Sequence, residues 1–200
     1  MRIVLDYGGT VVDRVDDGEY AGFFGDGAVR YPAYVAYRAF EAGIIETEDE
    51  YVRVLSLLSG ETEEDCRTYL EERKRAVVLP DEREVALRRL DNEHSLALFT
   101  DQVRVWIEET LDRFGIASLF DDIVVSSDLG RTKPHPEGYV AVRDGYETDD
   151  VVMVSDELND DLLMADYFGM ETVWVENDYE KVHFEPDYRV SDLSEVPDIL

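Results

Sequence analysis

Short apolar segments alternate with helical segments over the second half of this 200-residue chain. The apolar segments are typical of buried strands, and they cover residues 94–100, 122–126, 150–155 and 171–175. A further strand is predicted near the N-terminus, over residues 2–6. Strands that alternate with helices pair in parallel through right-handed crossovers, which leaves helices on both faces of the sheet. The sequence therefore predicts an α/β fold, a three-layer Rossmann-like core around a parallel sheet.

A helical segment interrupts this alternation after the first strand. Thr47 followed by Glu50 is a capping-box pattern, which predicts a helix over residues 48–58. An all-helical stretch between the first and second strands indicates an inserted subdomain. The predicted boundaries are 1–13 and 77–200 for the core and 14–76 for a helical cap insertion.

The charge of the chain limits its partners. There are 48 Asp and Glu residues against 19 Lys and Arg residues, which gives a net charge of −29. Such an excess repels itself in dilute buffer, whereas molar salt shortens the Debye length to about 3 Å. The charge therefore predicts a halophilic protein, with a merely acidic protein as the alternative. Either case disfavours nucleic acids and anionic membranes as partners.

The location of the protein is predicted from what its sequence contains. Cys66 is the lone cysteine, which fits a reducing compartment. The sequence shows no uncharged apolar run of about 18 residues and no signal-peptide pattern at its start. We expect a cytoplasmic protein, and the sequence leaves its oligomeric state open.

Polar residues follow the predicted strands where those strands end. Asp6 follows the first strand, Thr100 ends the second, and Asp156 follows a later one. Because ligands bind at the carboxyl ends of parallel strands, we expect these side chains to meet, with Asp161 five residues farther on. Carboxylates that share a pocket repel one another, and a hard cation such as Mg²⁺ relieves that repulsion. Lys133, in a proline-rich loop, can neutralise carboxylates and a phosphoryl group.

The turn after the first strand contains two glycines. Backbone amides around Gly8 and Gly9 are predicted to donate to anionic oxygens. Asp6 is then free to act as a nucleophile. Together these residues indicate a site for an anionic small molecule.

Four segments, in this order, resemble the motifs of the haloacid dehalogenase-like (HAD) hydrolase superfamily. They are LDYGGTVVD, LALFT, GRTKPHPEGY and VSDELNDDLLMADYFGM. Ser155 in the fourth segment stands where the family usually has glycine. The resemblance covers essentially the whole chain, and the insertion falls where a C1-type cap sits in the family.

The resemblance implies a role for each residue of the site. Asp6 would be the nucleophile that forms a covalent aspartyl intermediate. Thr100 and Lys133 would hold the phosphoryl group of a small phosphorylated metabolite, together with the turn at Gly8 and Gly9. The ligands implied for Mg²⁺ are Asp6, the main-chain carbonyl at Gly8, Asp156 and Asp161.

Position 8 departs from the family pattern. Family phosphatases carry a second aspartate there, which protonates the leaving group and later activates water, whereas this chain has Gly8. Asp13 and Asp101 are candidates to replace that acid/base group. Three hypotheses stay open: phosphate chemistry with a displaced acid/base, a 2-haloacid dehalogenase, whose halide leaves without a proton, and a binding or regulatory protein. A phosphonatase is disfavoured because the first lysine, Lys74, comes too late in the insertion for the Schiff base of that class.

Other polar residues allow a functional and a structural interpretation. Arg30 and Arg38 lie in the predicted insertion and could select an anionic substrate, but a salt bridge to one of the many acids is the interpretation that we prefer. His135, between two prolines beside Lys133, could act as an acid/base or could be an ordinary loop residue.

Overall fold

A six-stranded parallel sheet forms the centre of the molecule, in the order β3-β2-β1-β4-β5-β6. The structure is a computed structural model that describes residues 1–15, 27–147, 150–178 and 183–200, with side chains of the first helix from residue 34 onward. The strands are β1 (Arg2–Leu5), β2 (Ser95–Thr100), β3 (Asp122–Val125), β4 (Val151–Ser155), β5 (Glu171–Val175) and β6 (Tyr188–Val190). The predicted α/β fold with a parallel sheet is confirmed.

Helices cover both faces of this sheet. Successive residues of a strand point to opposite faces, so Ile3 and Leu5 join one hydrophobic cluster and Val4 joins the other. The first cluster contains Leu87 from the helix before β2, and the second contains Tyr139 from the helix after β3. All four residues of β1 are buried, as expected of a central parallel strand.

The described α-helices lie between the strands, and one of them, the short helix Ser126–Leu129, was not predicted from the sequence. They are α1 (Gly27–Glu41), α2 (Glu48–Ser59), α3 (Glu63–Ala76), α4 (Asp81–Glu93), α5 (Arg104–Phe114), α6 (Ser126–Leu129), α7 (Pro136–Val142) and α8 (Leu163–Tyr167). Two 3₁₀ helices, Ala117–Leu119 and Leu193–Asp198, and a π-helical turn, Leu158–Leu162, complete the described elements. None of the described helices has the length and apolar character needed to cross a bilayer.

Helices α1 to α3 pack around a third hydrophobic cluster, which Val103 at the start of α5 also joins. Its buried members include Phe40 from α1, Tyr51 from α2 and Leu70 from α3, whereas α4 packs against the sheet. The Thr47 side chain accepts from Glu50 N at 3.2 Å and so caps α2 as predicted, while the Glu50 carboxylate accepts from Glu46 N. In a usual capping box the Glu50 carboxylate would accept from Thr47 N, so here the glutamate bonds to the residue before the N-cap.

The start of α1 differs from the prediction. The sequence indicates a loop over 16–28 and, from aromatic residues at every third position over 31–40, a helix over 31–43, but the helix begins at Gly27. The prediction followed the aromatic repeat and overlooked Ala28 and Arg30, which are good helix formers ahead of it. Residues 16–26 of the expected loop lie outside the described residues.

Polar contacts join helices α1 and α2 to the sheet side of the molecule. Gln102 Nε2 donates to the Tyr37 hydroxyl at 2.8 Å, and Trp106 Nε1 donates to Glu48 Oε2 at 2.9 Å. The chain that precedes α1 also pairs with the chain that follows α3, because Asp13 N donates to Val78 O at 2.9 Å. These contacts hold the inserted helices beside the carboxyl end of β2.

Candidate active site

The sheet order brings the predicted site residues to one edge. Chain progression reverses at β1, which lies between β2 and β4, and open parallel sheets bind ligands at such a switch point. Asp6 follows β1, Thr100 ends β2 and Asp156 follows β4, and all three are almost completely buried. Asp6 N also donates to Val154 O at 3.0 Å, which fixes the main chain of Asp6 beside the end of β4.

A buried lysine joins two of the carboxylates. Lys133 Nζ donates to Asp6 Oδ1 at 2.6 Å and to Asp161 Oδ2 at 2.7 Å. It also lies 3.5 Å from Phe99 O, next to Thr100 at the end of β2. Burial alone would lower the pKa of the Lys133 ammonium, but the charges of Asp161 and Asp6 hold that pKa well above its usual value. The site therefore keeps a fixed positive charge beside the predicted nucleophile.

Asp161 is fully buried in the π-helical turn Leu158–Leu162. π-Helical turns are rare and occur often at functional sites. Ser155 Oγ donates to Asp161 Oδ2 at 2.6 Å, so the serine that replaces the family's glycine holds this carboxylate. Burial raises the pKa of Asp161 well above its usual value. The charge of Lys133 opposes this rise, but it is shared with Asp6 and therefore compensates the two carboxylates only in part.

Asp156 is held by its main chain and by one arginine. Its N–H donates to Thr10 Oγ1 at 3.0 Å, and its carbonyl accepts from Trp174 Nε1 at 3.1 Å and Asn177 Nδ2 at 2.6 Å. Its Oδ2 accepts from Arg14 Nε at 2.8 Å. Burial raises the pKa of Asp156 to about 6, although the Arg14 guanidinium favours the ionised form.

The carboxylates offer oxygens that fit a hard cation. Asp156 Oδ1 and Asp161 Oδ1 are both buried and have no hydrogen-bond partner among the described residues. Leaving a buried acceptor unpaired is costly, so each oxygen calls for a cation or a water. No three His, Cys, Asp or Glu side chains in the described part of the chain form a ready-made metal cluster. Mg²⁺, however, commonly takes only one or two protein carboxylates together with waters and substrate oxygens, so the residues present fit it.

The two glycines of the turn have different surroundings. Gly9 has φ +88°, and a Cβ there would stand 2.2 Å from Asp156 Oδ2, so only glycine lets the turn approach that carboxylate. The Gly9 N–H, predicted as a donor to an anion, donates instead to Val12 O at 2.8 Å and closes the turn. At Gly8 a Cβ would have no described atom within 4 Å, and the backbone is not in the left-handed region. The backbone at position 8 therefore accepts a Cβ, from which a side chain can extend.

The two acid/base candidates have different neighbours. Both Asp101 carboxylate oxygens accept from Lys133 N, at 2.9 and 3.1 Å, so Asp101 borders the site. Burial raises the pKa of Asp101 against the opposing effect of Lys133. Asp13 is exposed, and its Oδ1 lies 3.4 Å from Arg83 Nη1 of α4. Asp101 is therefore the better placed of the two.

Two of the remaining polar candidates have structural partners. Arg38 pairs with Glu41 at 2.9 Å and with Asp101 at 3.4 Å, so it forms an ion pair at the edge of the site. The His135 ring accepts from Glu137 N at 3.4 Å, which caps α7. The side chain of Arg30 lies outside the described residues. Sequence reasoning missed Arg14 and the role of Ser155, and only the hydroxyl directly before Asp156 gave any signal.

The chain is similar to a known hydrolase family and, over part of its length, to curated phosphatases. Residues 44–175 match the family described as haloacid dehalogenase-like hydrolase. A glyceraldehyde 3-phosphate phosphatase of Methanocaldococcus jannaschii is 33% identical over 110 residues, 52% of this chain and 48% of that protein. A phosphoserine phosphatase of Thermus thermophilus is 28% identical over 135 residues, 66% of this chain and 54% of that protein. The chain thus spans about half the length of the curated relatives it matches.

Solved structures share the fold across the whole chain. The magnesium-bound putative HAD-hydrolase YfnB of Bacillus subtilis superposes with a TM-score of 0.70 at 21% identity, over 99% of this chain and 97% of that one. An L-2-haloacid dehalogenase of Xanthobacter autotrophicus superposes with a TM-score of 0.72 at 17% identity, with the same coverage. At these identities the likeness concerns the fold alone. The family match, which covers more than half of the chain, shows that this protein belongs to the haloacid dehalogenase-like hydrolases.

Proposed function

We propose that this protein is a phosphatase that hydrolyses a small phosphorylated metabolite through an aspartyl intermediate at Asp6. The observation that carries the proposal is the buried Lys133 ammonium, which contacts Asp6 at 2.6 Å and Asp161 at 2.7 Å. Such a fixed charge can stabilise a phosphoryl group while it is transferred to the adjacent carboxylate. The phosphatase names of two partial relatives support the same reaction class.

The residues of the site divide the work of two chemical steps. In the first, an Asp6 carboxylate oxygen bonds to phosphorus, and the bond between phosphorus and the leaving oxygen breaks. In the second, water attacks the acyl phosphate, which releases phosphate and restores Asp6. Lys133 and the Thr100 hydroxyl hold phosphoryl oxygens in both steps. Mg²⁺, held by Asp156 and Asp161 with Asp6 and the carbonyl of Gly8, would neutralise phosphoryl charge when bound.

The glycine at position 8 decides which leaving groups are tolerated. General acid–base help is worth roughly 10²- to 10⁴-fold in rate, so an alkoxide that must leave without a proton is the disfavoured case. Aryl and acyl phosphates have better leaving groups and lose less. Asp101 is the group that we propose as a partial substitute, because it is partly buried beside Lys133 and its pKa is raised.

The proposal also covers the helices beside the site and the compartment in which the enzyme works. We propose that helices α1 to α3, within residues 14–76, act as a cap that selects the substrate, since they contact the chain just after β2 through Gln102 and Trp106. The net charge of −29 supports a cytoplasm of high salt, where that charge is screened.

The second candidate is a 2-haloacid dehalogenase. A halide leaves without a proton, so Gly8 would carry no penalty in that reaction. The buried oxygens of Asp156 and Asp161 favour the phosphatase, because a cation site has no use in displacing a halide at carbon.

A substrate panel distinguishes these functions. We expect phosphate release from aryl and acyl phosphates in molar salt, with loss of the activity in EDTA and recovery with Mg²⁺. Phosphate and chloride release would be measured side by side with phosphorylated metabolites and 2-chloropropionate. Chloride release without added metal would replace the proposal by the dehalogenase, and binding of phosphate esters without any turnover would leave a regulatory protein.

A further inference from the structure

Arg14 reaches from the first connection of the insertion into the buried edge of the site. Its Nε donates to Asp156 Oδ2 at 2.8 Å, and its Nη2 donates to Glu157 Oε1 at 2.5 Å. The Arg14 side chain is 46% exposed, whereas that of Asp156 is only 5% exposed. The guanidinium therefore lies at the mouth of the site, and two consecutive carboxylates fix its plane.

The contact uses only one of the two Asp156 oxygens. The main chain of Asp156 is already fixed on both sides of its Cα, by Thr10 at the N–H and by Trp174 and Asn177 at the carbonyl. Rotation of the side chain is the freedom that remains, and the bond from Arg14 to Oδ2 restricts it. That bond leaves Oδ1 buried and without a partner among the described residues.

We propose that Arg14 is a positioning residue for the cation site, which holds Asp156 through Oδ2 so that Oδ1 faces the bound metal. The inference rests on the metal requirement in the proposed function, but it concerns metal affinity rather than turnover. Partners that orient a ligating carboxylate are typically worth 10- to 100-fold in metal affinity. Because residue 14 directly follows the core segment 1–13, this orientation is also tied to the connection that leads into the insertion.

Two effects of the guanidinium on a metal ion oppose each other. Its hydrogen bond orients the ligand, whereas its positive charge repels the cation. The repulsion is offset in part by Glu157, whose carboxylate accepts from Arg14 Nη2 and compensates the charge of the guanidinium. The hydrogen bond is a direct contact and persists in salt, so orientation should dominate under these conditions.

The test measures Mn²⁺ binding by electron paramagnetic resonance, and Mg²⁺ binding by calorimetry, in molar salt. We expect Arg14→Ala to weaken both affinities by about 10- to 100-fold, with Arg14→Lys in between because its single ammonium can still donate to Oδ2. Arg88→Ala is the matched control. It removes the same charge from an exposed ion pair with Glu84 on α4 and should leave both affinities unchanged.

The outcomes separate the two proposals. Equal or tighter metal binding by Arg14→Ala, in a variant that keeps the wild-type circular dichroism spectrum, would overturn the role of Arg14 and leave the phosphatase proposal standing. Should Arg14→Ala fail to fold, Arg14→Lys decides, and unchanged affinity there would overturn the role. Absence of Mn²⁺ and Mg²⁺ binding by the wild-type protein would overturn both the role of Arg14 and the metal-dependent phosphatase.

Discussion

Asp6→Asn should reduce phosphate release by roughly 10⁴- to 10⁶-fold, as expected when a residue that makes the covalent bond is removed. The amide of asparagine has nearly the same shape as the carboxylate but is a far poorer nucleophile. Lys133 would keep its contact with Asp161 at 2.7 Å, so the buried ammonium would retain a charged partner and the fold should persist. The measurement is steady-state phosphate release from an aryl phosphate in molar salt with Mg²⁺.

Asp198→Asn is the matched control for this variant. It makes the same chemical change at an exposed carboxylate that pairs with Arg89 on α4. We expect at most a small effect on rate. If Asp6→Asn kept a substantial part of the wild-type rate in a folded protein, the covalent route through this carboxylate would be wrong.

Gly8→Asp should raise the turnover of alkyl phosphates by up to about 10²- to 10⁴-fold, because it restores a proton donor for the leaving oxygen. The position accepts a side chain, since a Cβ at residue 8 would have no described atom within 4 Å. Aryl phosphates should gain less in the step that phosphorylates Asp6, so the ratio of alkyl to aryl kcat/KM, which reports that step, is the sensitive readout. Assays with both substrates on one preparation give that ratio without knowledge of the active fraction.

Gly8→Asn separates acid–base chemistry from shape. It adds a side chain of nearly the same size that cannot transfer the proton, and we expect no comparable rise in the alkyl to aryl ratio. An unchanged ratio in a folded Gly8→Asp variant would show that another group, with Asp101 beside Lys133 as the candidate, already supplies the proton.

The sheet could be predicted because most of its strands are buried on both faces. β1 and β4 are buried along their whole length, which gives continuous apolar runs that a sequence shows directly. β6 was missed. It has three residues, of which Tyr188 and Arg189 are exposed, so an edge strand of this kind carries almost no hydrophobic pattern.

The meeting of Asp6, Lys133 and Asp161 was predicted from polar residues at strand ends and from the order of the four motifs. The strand order that brings them to one edge came from the structure. Arg14 was not predictable in this way. A single arginine in a connection has no spacing that marks a site, and its contact with Asp156 depends on a tertiary approach across 142 positions of the chain.

The choice between Asp13 and Asp101 also needed the structure. Both lie close in sequence to predicted site residues, Asp6 and Thr100. The direction of each side chain is set by a partner that is distant in sequence, which is Arg83 for Asp13 and the Lys133 main chain for Asp101. Residues 158–168 are predicted from the sequence as one helix, whereas the structure has the π-helical turn around Asp161 followed by α8.

The covalent intermediate at Asp6 is tested most directly by the intact mass of the protein after brief exposure to an acyl or aryl phosphate with Mg²⁺. We expect the protein to gain one phosphoryl group. This group should map to Asp6, should be removed by hydroxylamine and should be absent from Asp6→Asn. It should be long-lived, because Gly8 provides no base to activate the attacking water. Phosphate release without such an adduct, or an adduct mapped to another residue, would contradict hydrolysis through a covalent intermediate at Asp6.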